Sequence, residues 1–114
     1  MRITNLETVK KTIPNMQGVE KLYKQIPISK EDGSPNFSFR VFTIEPGGHT
    51  PLHNHPFEHL NYIIEGRGEV VQKSGSQSLK KGDFILILPD EVHQYRNNSD
   101  RPLVMICAVP KEYE

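Results

Sequence analysis

The chain is cut into short pieces by turn residues, and this punctuation limits its fold more than any other feature. Nine prolines and eight glycines are spread over 114 residues, which leaves few windows long enough for a helix. The breaks fall at Glu31-Asp32-Gly33-Ser34-Pro35, Pro46-Gly47-Gly48, Glu65-Gly66-Arg67-Gly68, Ser74-Gly75-Ser76, Lys81-Gly82-Asp83, Pro89-Asp90 and Asn97-Asn98-Ser99-Asp100. Each combines residues that impose or tolerate turn geometry. Between them lie strand-length segments rich in β-branched and aromatic residues: Phe37 to Glu45, Leu60 to Glu65, Glu69 to Lys73, Phe84 to Leu88 and Leu103 to Val109. Only residues 5–12 and 16–24 offer room for a helical turn or two. The expected class is all-β, closed as a sandwich or barrel.

A chain of 114 residues suits one domain. At this size roughly two-thirds of the unfolded surface can be buried, enough for a core without disulfides. Fourteen Lys and Arg balance fourteen Asp and Glu, so the formal net charge is zero. That balance offers no electrostatic footprint for nucleic acid or an anionic membrane. The longest apolar run, Phe84 to Leu88, falls far short of the ~20 residues of a membrane-spanning helix. The N-terminus lacks a signal-peptide apolar stretch, and the single cysteine, Cys107, rules out an internal disulfide. A cytoplasmic location is the resulting expectation.

Four of the five histidines fall in two places. His53 and His55 are two apart, so on a strand both side chains point to the same face. His59 follows Pro56, where a bend could return it to the same centre. His93 lies beyond Pro89 and must come from another strand. Imidazole nitrogens so gathered suit a divalent transition metal. Polar surface positions use the same residues, and the spacing alone leaves both readings open.

The frame around these histidines resembles the cupin family. Gly47-Gly48-His49-Thr50-Pro51-Leu52-His53-Asn54-His55-Pro56-Phe57-Glu58-His59, closing at Gly66, is similar to the first cupin motif: glycine, five residues, HxH, three or four residues, glutamate, six residues, glycine. The run from Gly82-Asp83 through Pro89 to His93 and Asn97 is similar to the second. Asp90 stands where the second motif has glycine, a change that a tight turn accepts. His59 stands where the first has glutamate. Glu58 is out of register for that place, with two residues after His55 and seven before Gly66, and is left as a neighbour of the ligands.

The resemblance implies a single-domain cupin fold, the double-stranded β-helix or jelly-roll barrel. Residues 19–114 would form the barrel, and residues 1–18 an N-terminal arm open to exchange between the partners of a homodimer. It also implies one divalent transition metal per chain, held by His53, His55, His59 and His93. Small four-histidine cupins often carry manganese, and imidazoles also suit iron, nickel, copper and zinc.

Strand parity adds pocket candidates. Tyr95 is two residues from His93 and shares its face on a regular strand. Cys107 shares a face with Leu103, Met105 and Val109, which in similar small cupins points into the barrel. Arg40 interrupts an apolar strand; turned inward, it would anchor an anionic substrate. Glu58 is a reserve general base, and His49, in a glycine-rich turn, is expected in solvent. Two functions fit a small-molecule ligand: a metal-dependent oxidoreductase of the dioxygenase kind, or a non-catalytic module that binds or senses its ligand through the metal.

Overall fold

The turn-bounded segments fold as antiparallel strands in the computed structural model, which describes residues 1–114. They are β1 (Glu20–Ile28), β2 (Phe37–His49), β3 (His59–Glu65), β4 (Arg67–Gln72), β5 (Gly75–Lys80), β6 (Phe84–Ile87), β7 (Gln94–Arg96) and β8 (Leu103–Pro110). One curled sheet runs in the order β5-β4-β7-β2-β8-β3-β6, with β1 paired to β2. This is the expected all-β jelly roll. Helix is confined to three short 3-10 turns, at Leu6–Thr8, Lys30–Asp32 and Lys111–Tyr113.

Residues 16–24 form no helical turn, because β1 begins at Glu20 and pairs with β2 from Glu20↔His49 to Ile28↔Phe39. That pairing buries Leu22 and Gln25, and tertiary burial overrides local propensity. Pro46-Gly47-Gly48 is no chain reversal either. It lies within β2, where the β1 register slips between Glu20 and Leu22. A side chain on Gly48 would meet the Glu20 carbonyl oxygen at 2.6 Å, so the two backbones pass too closely for any other residue. At Pro89-Asp90 the reversal is real, with Asp90 at φ 65° in the region glycine usually occupies.

Side-chain alternation decides what faces the interior. On β2 the inward set includes Ser38, Arg40, Phe42 and Ile44; on β3 it is His59, Asn61 and Ile63; on β8 it is Leu103, Met105, Cys107 and Val109. The core gathers Leu22, Ile44, Ile63, Val70, Leu79, Ile87, Tyr95, Leu103 and Met105. Asn97, buried at the end of the second motif, ties this end of the sheet together. Its Nδ2 donates to the carbonyls of Ile44 and Arg101, and its Oδ1 accepts from Ser99.

The opposite face of the sheet is covered unevenly. Leu6 of the N-terminal arm lies with Pro27, Phe39, Val41, Ile64 and Ile106 around one hollow. The Gln25 side chain holds the arm by donating to the carbonyls of Leu6 and Val9. Beyond the arm, Phe39, Leu60, Tyr62, Phe84, Leu86, Ile106 and Ala108 line an open apolar hollow, and Phe84 is 82% exposed.

Candidate metal centre

Prolines on both sides of His53-Asn54-His55 keep this segment out of the ladder. No strand spans it; a single bridge pairs His53 with His93. The His53 N–H donates to the His93 carbonyl at 3.1 Å and the His93 N–H returns the bond at 2.9 Å. Asp90 N–H donates to the His55 carbonyl at 2.7 Å, so the second motif is clamped onto the first. The two histidines therefore converge through a clamp between loops, where strand parity was expected to align them.

All four rings gather. Ring centroids are 5.4 Å apart for His53 and His55, 5.1 Å for His53 and His93, 4.9 Å for His55 and His93, and 3.9 Å for His55 and His59. Ligand nitrogens of His53, His55 and His93 lie within 4.8 Å of one another, close enough to share one ion. Two of these rings are held in a fixed tautomer. His55 Nδ1 donates to the Phe57 carbonyl at 2.7 Å, and His93 Nδ1 to the Glu91 carbonyl at 2.8 Å. A proton on Nδ1 leaves the Nε2 lone pair bare, as a metal requires. His55 Nε2 is buried with no hydrogen-bond partner. A buried polar atom left so costs stability unless something occupies it, and a metal ion fits that demand.

Burial and neighbouring positive charge hold three of the rings, His53, His59 and His93, in the neutral form. Burial, then the positive fields of His93, His55 and Arg40, pulls His53 down to about 4. His59 is pulled to about 2 by burial, then by His55 and Arg40. Burial also lowers His93, partly offset by its bond to Glu91. A neutral imidazole keeps a lone pair for an ion wherever no donor already holds it.

His59 is placed differently from the other three. It opens β3, 8% exposed, and its Nε2 sits 3.1 Å from Arg40 Nη2. Arginine has only donors to offer, so His59 Nε2 accepts. Sheet register brings them near: Arg40 pairs with Cys107, and Cys107 pairs with Asn61, which is two residues from His59 on the same face of β3. Arg40 Nη2 also donates to Cys107 Sγ at 3.2 Å. Burial raises the Cys107 thiol above its usual range, and Arg40 offsets part of that rise.

Beside the cluster lies a cavity of about 250 Å³. His53, His59 and His93 form part of its wall, together with Arg40, Tyr95, Cys107, Leu22, Phe42 and Met105. Tyr95 thus shares the inward face of His93, Cys107 faces inward as the resemblance implied, and Arg40, whose direction the sequence left open, is turned inward. Glu58 is exposed and outside this wall. His49 is half-buried at the end of β2, its Nδ1 near the Thr50 carbonyl and Gln94 Nε2. The turn expected to leave it in solvent is strand.

Several wall residues escaped sequence reasoning, and three of them carry an amide, an ammonium or a carboxylate group. Asn61, 3% exposed, donates through Nδ2 to the Tyr95 hydroxyl and leaves its Oδ1 buried and unpartnered; its signal was a polar residue at inward parity with His59. Lys24 and Glu114 also line the cavity, and neither stood out without the β1 pairing and the course of the last residues. Tyr113 stacks on Phe57 at 3.9 Å, and Phe57 stacks on His55 at 4.4 Å, which ties the 3-10 turn after β8 to a candidate ligand.

Comparison with known proteins places this geometry. The cupin domain family matches residues 40–109. The 1-methylthio-D-xylulose 5-phosphate methylsulfurylase of Rhodospirillum rubrum is 32% identical over 73 residues, 64% of this chain and 47% of that protein. Gentisate 1,2 dioxygenase 1 of Aquipseudomonas alcaligenes is 31% identical over 62 residues, 54% of this chain and 18% of that protein. The chain thus spans about half the length, or less, of these relatives. Among solved structures, the polyketide cyclase RemF from Streptomyces resistomycificus superposes with a TM-score of 0.93 at 25% identity, over 97% of this chain and 80% of that one.

Proposed function

The chain belongs to the cupin family, and from that membership we propose that it is a metal-dependent enzyme acting on a small organic molecule, an oxidoreductase of the dioxygenase kind. The ion is one divalent transition metal at His53, His55, His59 and His93, with manganese first among the candidates and iron, nickel, copper and zinc behind it. The observation that carries this reading is the opening of the histidine cluster onto a cavity of about 250 Å³. A structural zinc site is closed by its four ligands, whereas a catalytic one keeps a face for substrate. The dioxygenase relative supports the choice of chemistry.

When bound, the ion would supply Lewis acidity and, for a redox-active metal, electron transfer with dioxygen. The chain's own residues do the rest. Leu22, Phe42 and Met105 give the cavity an apolar wall that holds a carbon skeleton away from water. The Tyr95 hydroxyl accepts from Asn61, so its own proton is free to donate to a ligand oxygen. Burial raises Tyr95 above the ordinary phenol range, which keeps that proton in place at neutral pH.

The test pairs two measurements: metal content of protein purified without added metal, and dioxygen uptake with a panel of diketones, phenols and thiols. A stoichiometric redox metal with turnover of one class is expected. The same metal without turnover across the panel would leave the second reading, a ligand-binding or sensing module. Full zinc occupancy with no exchangeable water would sink both.

The proposal includes a homodimer in the cell's cytoplasm. The outer face of Phe39, Leu60, Phe84 and Leu86 is the surface a second copy would cover, since large apolar patches on soluble proteins mark interaction sites. Sedimentation should show a dimer that Leu86→Lys converts to monomer; an unchanged dimer would place the interface elsewhere.

A further inference from the structure

Arg40 is a buried cation without a counter-ion. It is 9% exposed, and the chain's one ion pair is Arg2 with Asp32. Its partners are neutral: His59 Nε2 at 3.1 Å, Cys107 Sγ at 3.2 Å and the Tyr113 carbonyl at 3.4 Å. Its Nε is buried with no partner, and the guanidinium lies 5.0 Å from the Phe42 ring centroid. Buried charges are ordinarily paired. A second cation, Lys24, lines the same cavity. The cavity's own carboxylate, Glu114, forms no ion pair with Arg40; its Oε2 accepts from Ser38 Oγ and the Lys30 N–H.

The Arg40–His59 contact has a consequence in proton counting. While Arg40 donates to Nε2, the neutral ring carries its proton on Nδ1. Neither nitrogen then offers a lone pair, and His59 cannot ligate an ion. Arg40 has donors enough for a planar oxyanion, which it binds in a two-pronged fork. A carboxylate would be a stronger acceptor than an imidazole nitrogen.

We propose that the cavity takes an organic carboxylate, which draws the Arg40 guanidinium off His59 and frees that histidine for the metal, so that anion and metal bind cooperatively. This rests on the metal reading above and names the charge class of the molecule that shares the site. By linkage, each partner tightens the other by the same factor.

The test titrates the protein with Co²⁺ alone, with benzoate, and with benzamide, its uncharged counterpart. Benzoate should tighten Co²⁺ binding about tenfold, and benzamide should leave it unchanged. In Arg40→Gln, Co²⁺ should bind as tightly without benzoate as it does to the wild type with it, and benzoate should add nothing. Equal tightening by benzoate in Arg40→Gln means direct ligation of the ion by the carboxylate, and overturns the proposal. Should the variant not fold, the wild type decides alone: equal effects of benzoate and benzamide, or none from either, overturn it. Absence of any Co²⁺ binding would overturn the coupling together with the metal reading. Benzoate binding followed by ligand NMR then tests the anchor separately: competition by acetate supports it, and equal competition by acetamide refutes it.

Discussion

Replacing His93 with alanine should lower metal affinity by more than about a hundredfold, while His49→Ala leaves it within about twofold. Loss of a partner that merely orients a ligand costs about 10–100-fold, and His93 stands closer to the ion than that. It is 1% exposed, its backbone exchanges two hydrogen bonds with His53, and its Nδ1 is held by the Glu91 carbonyl. The substitution therefore removes a nitrogen and loosens the ring facing it. His49 reaches only Thr50 and Gln94 and has no nitrogen in the cluster. Calorimetric titration of both variants with Mn²⁺ or Zn²⁺, after circular dichroism confirms folding, measures the difference. Equal losses in the two would refute the ligand assignment.

The second large effect concerns stability. Gly66→Ala should destabilise the fold by about 3 kcal/mol or more. Gly66 joins β3, which pairs with β6 and β8, to β4, which pairs with β5 and β7, so the chain changes neighbours within one residue. It does so at φ 84°, and a Cβ there would lie 2.1 Å from the Pro102 carbonyl oxygen and 3.1 Å from Leu103 Cα. That oxygen belongs to backbone leading directly into β8 and has little freedom to retreat. Gly75→Ala is the matched control, because Gly75 also has positive φ, at 130°, but open space around it. It should cost about 1 kcal/mol. Thermal melting would separate the pair by roughly 8 °C or more for a domain of this size; equal shifts would show that steric contact at Gly66 contributes nothing.

Much of this architecture was readable from turn chemistry, and the reasons for the exceptions are physical. Strands bounded by glycine or proline and filled with β-branched residues, such as Phe84–Ile87 and Leu103–Pro110, announce themselves through local preference. β5 does not: five of the six residues in Gly-Ser-Gln-Ser-Leu-Lys are exposed, and it is a strand because β4 supplies its partner. β1 was hidden for the same reason. At the site, the resemblance turned Cys107 inward and the direction of Arg40 stayed open, while alternation placed Tyr95 on the inward face. Neither could show what Arg40 touches, since that depends on strands brought together from positions 19 and 67 residues away. The motif spacing brought four histidines to one place, while the split between three converging nitrogens and one occupied by arginine arises from side-chain packing alone.

The open apolar face of Phe39, Leu60, Phe84 and Leu86 also governs how the protein behaves as a colloid. With a formal net charge of zero at pH 7, single copies have no long-range repulsion to keep these faces apart. The free edge of β6, which carries Phe84 and Leu86, adds unpaired backbone groups to the same facet. Attraction between molecules is therefore strongest near neutrality and weakens as pH moves to either side, making buffer pH the first lever on solubility.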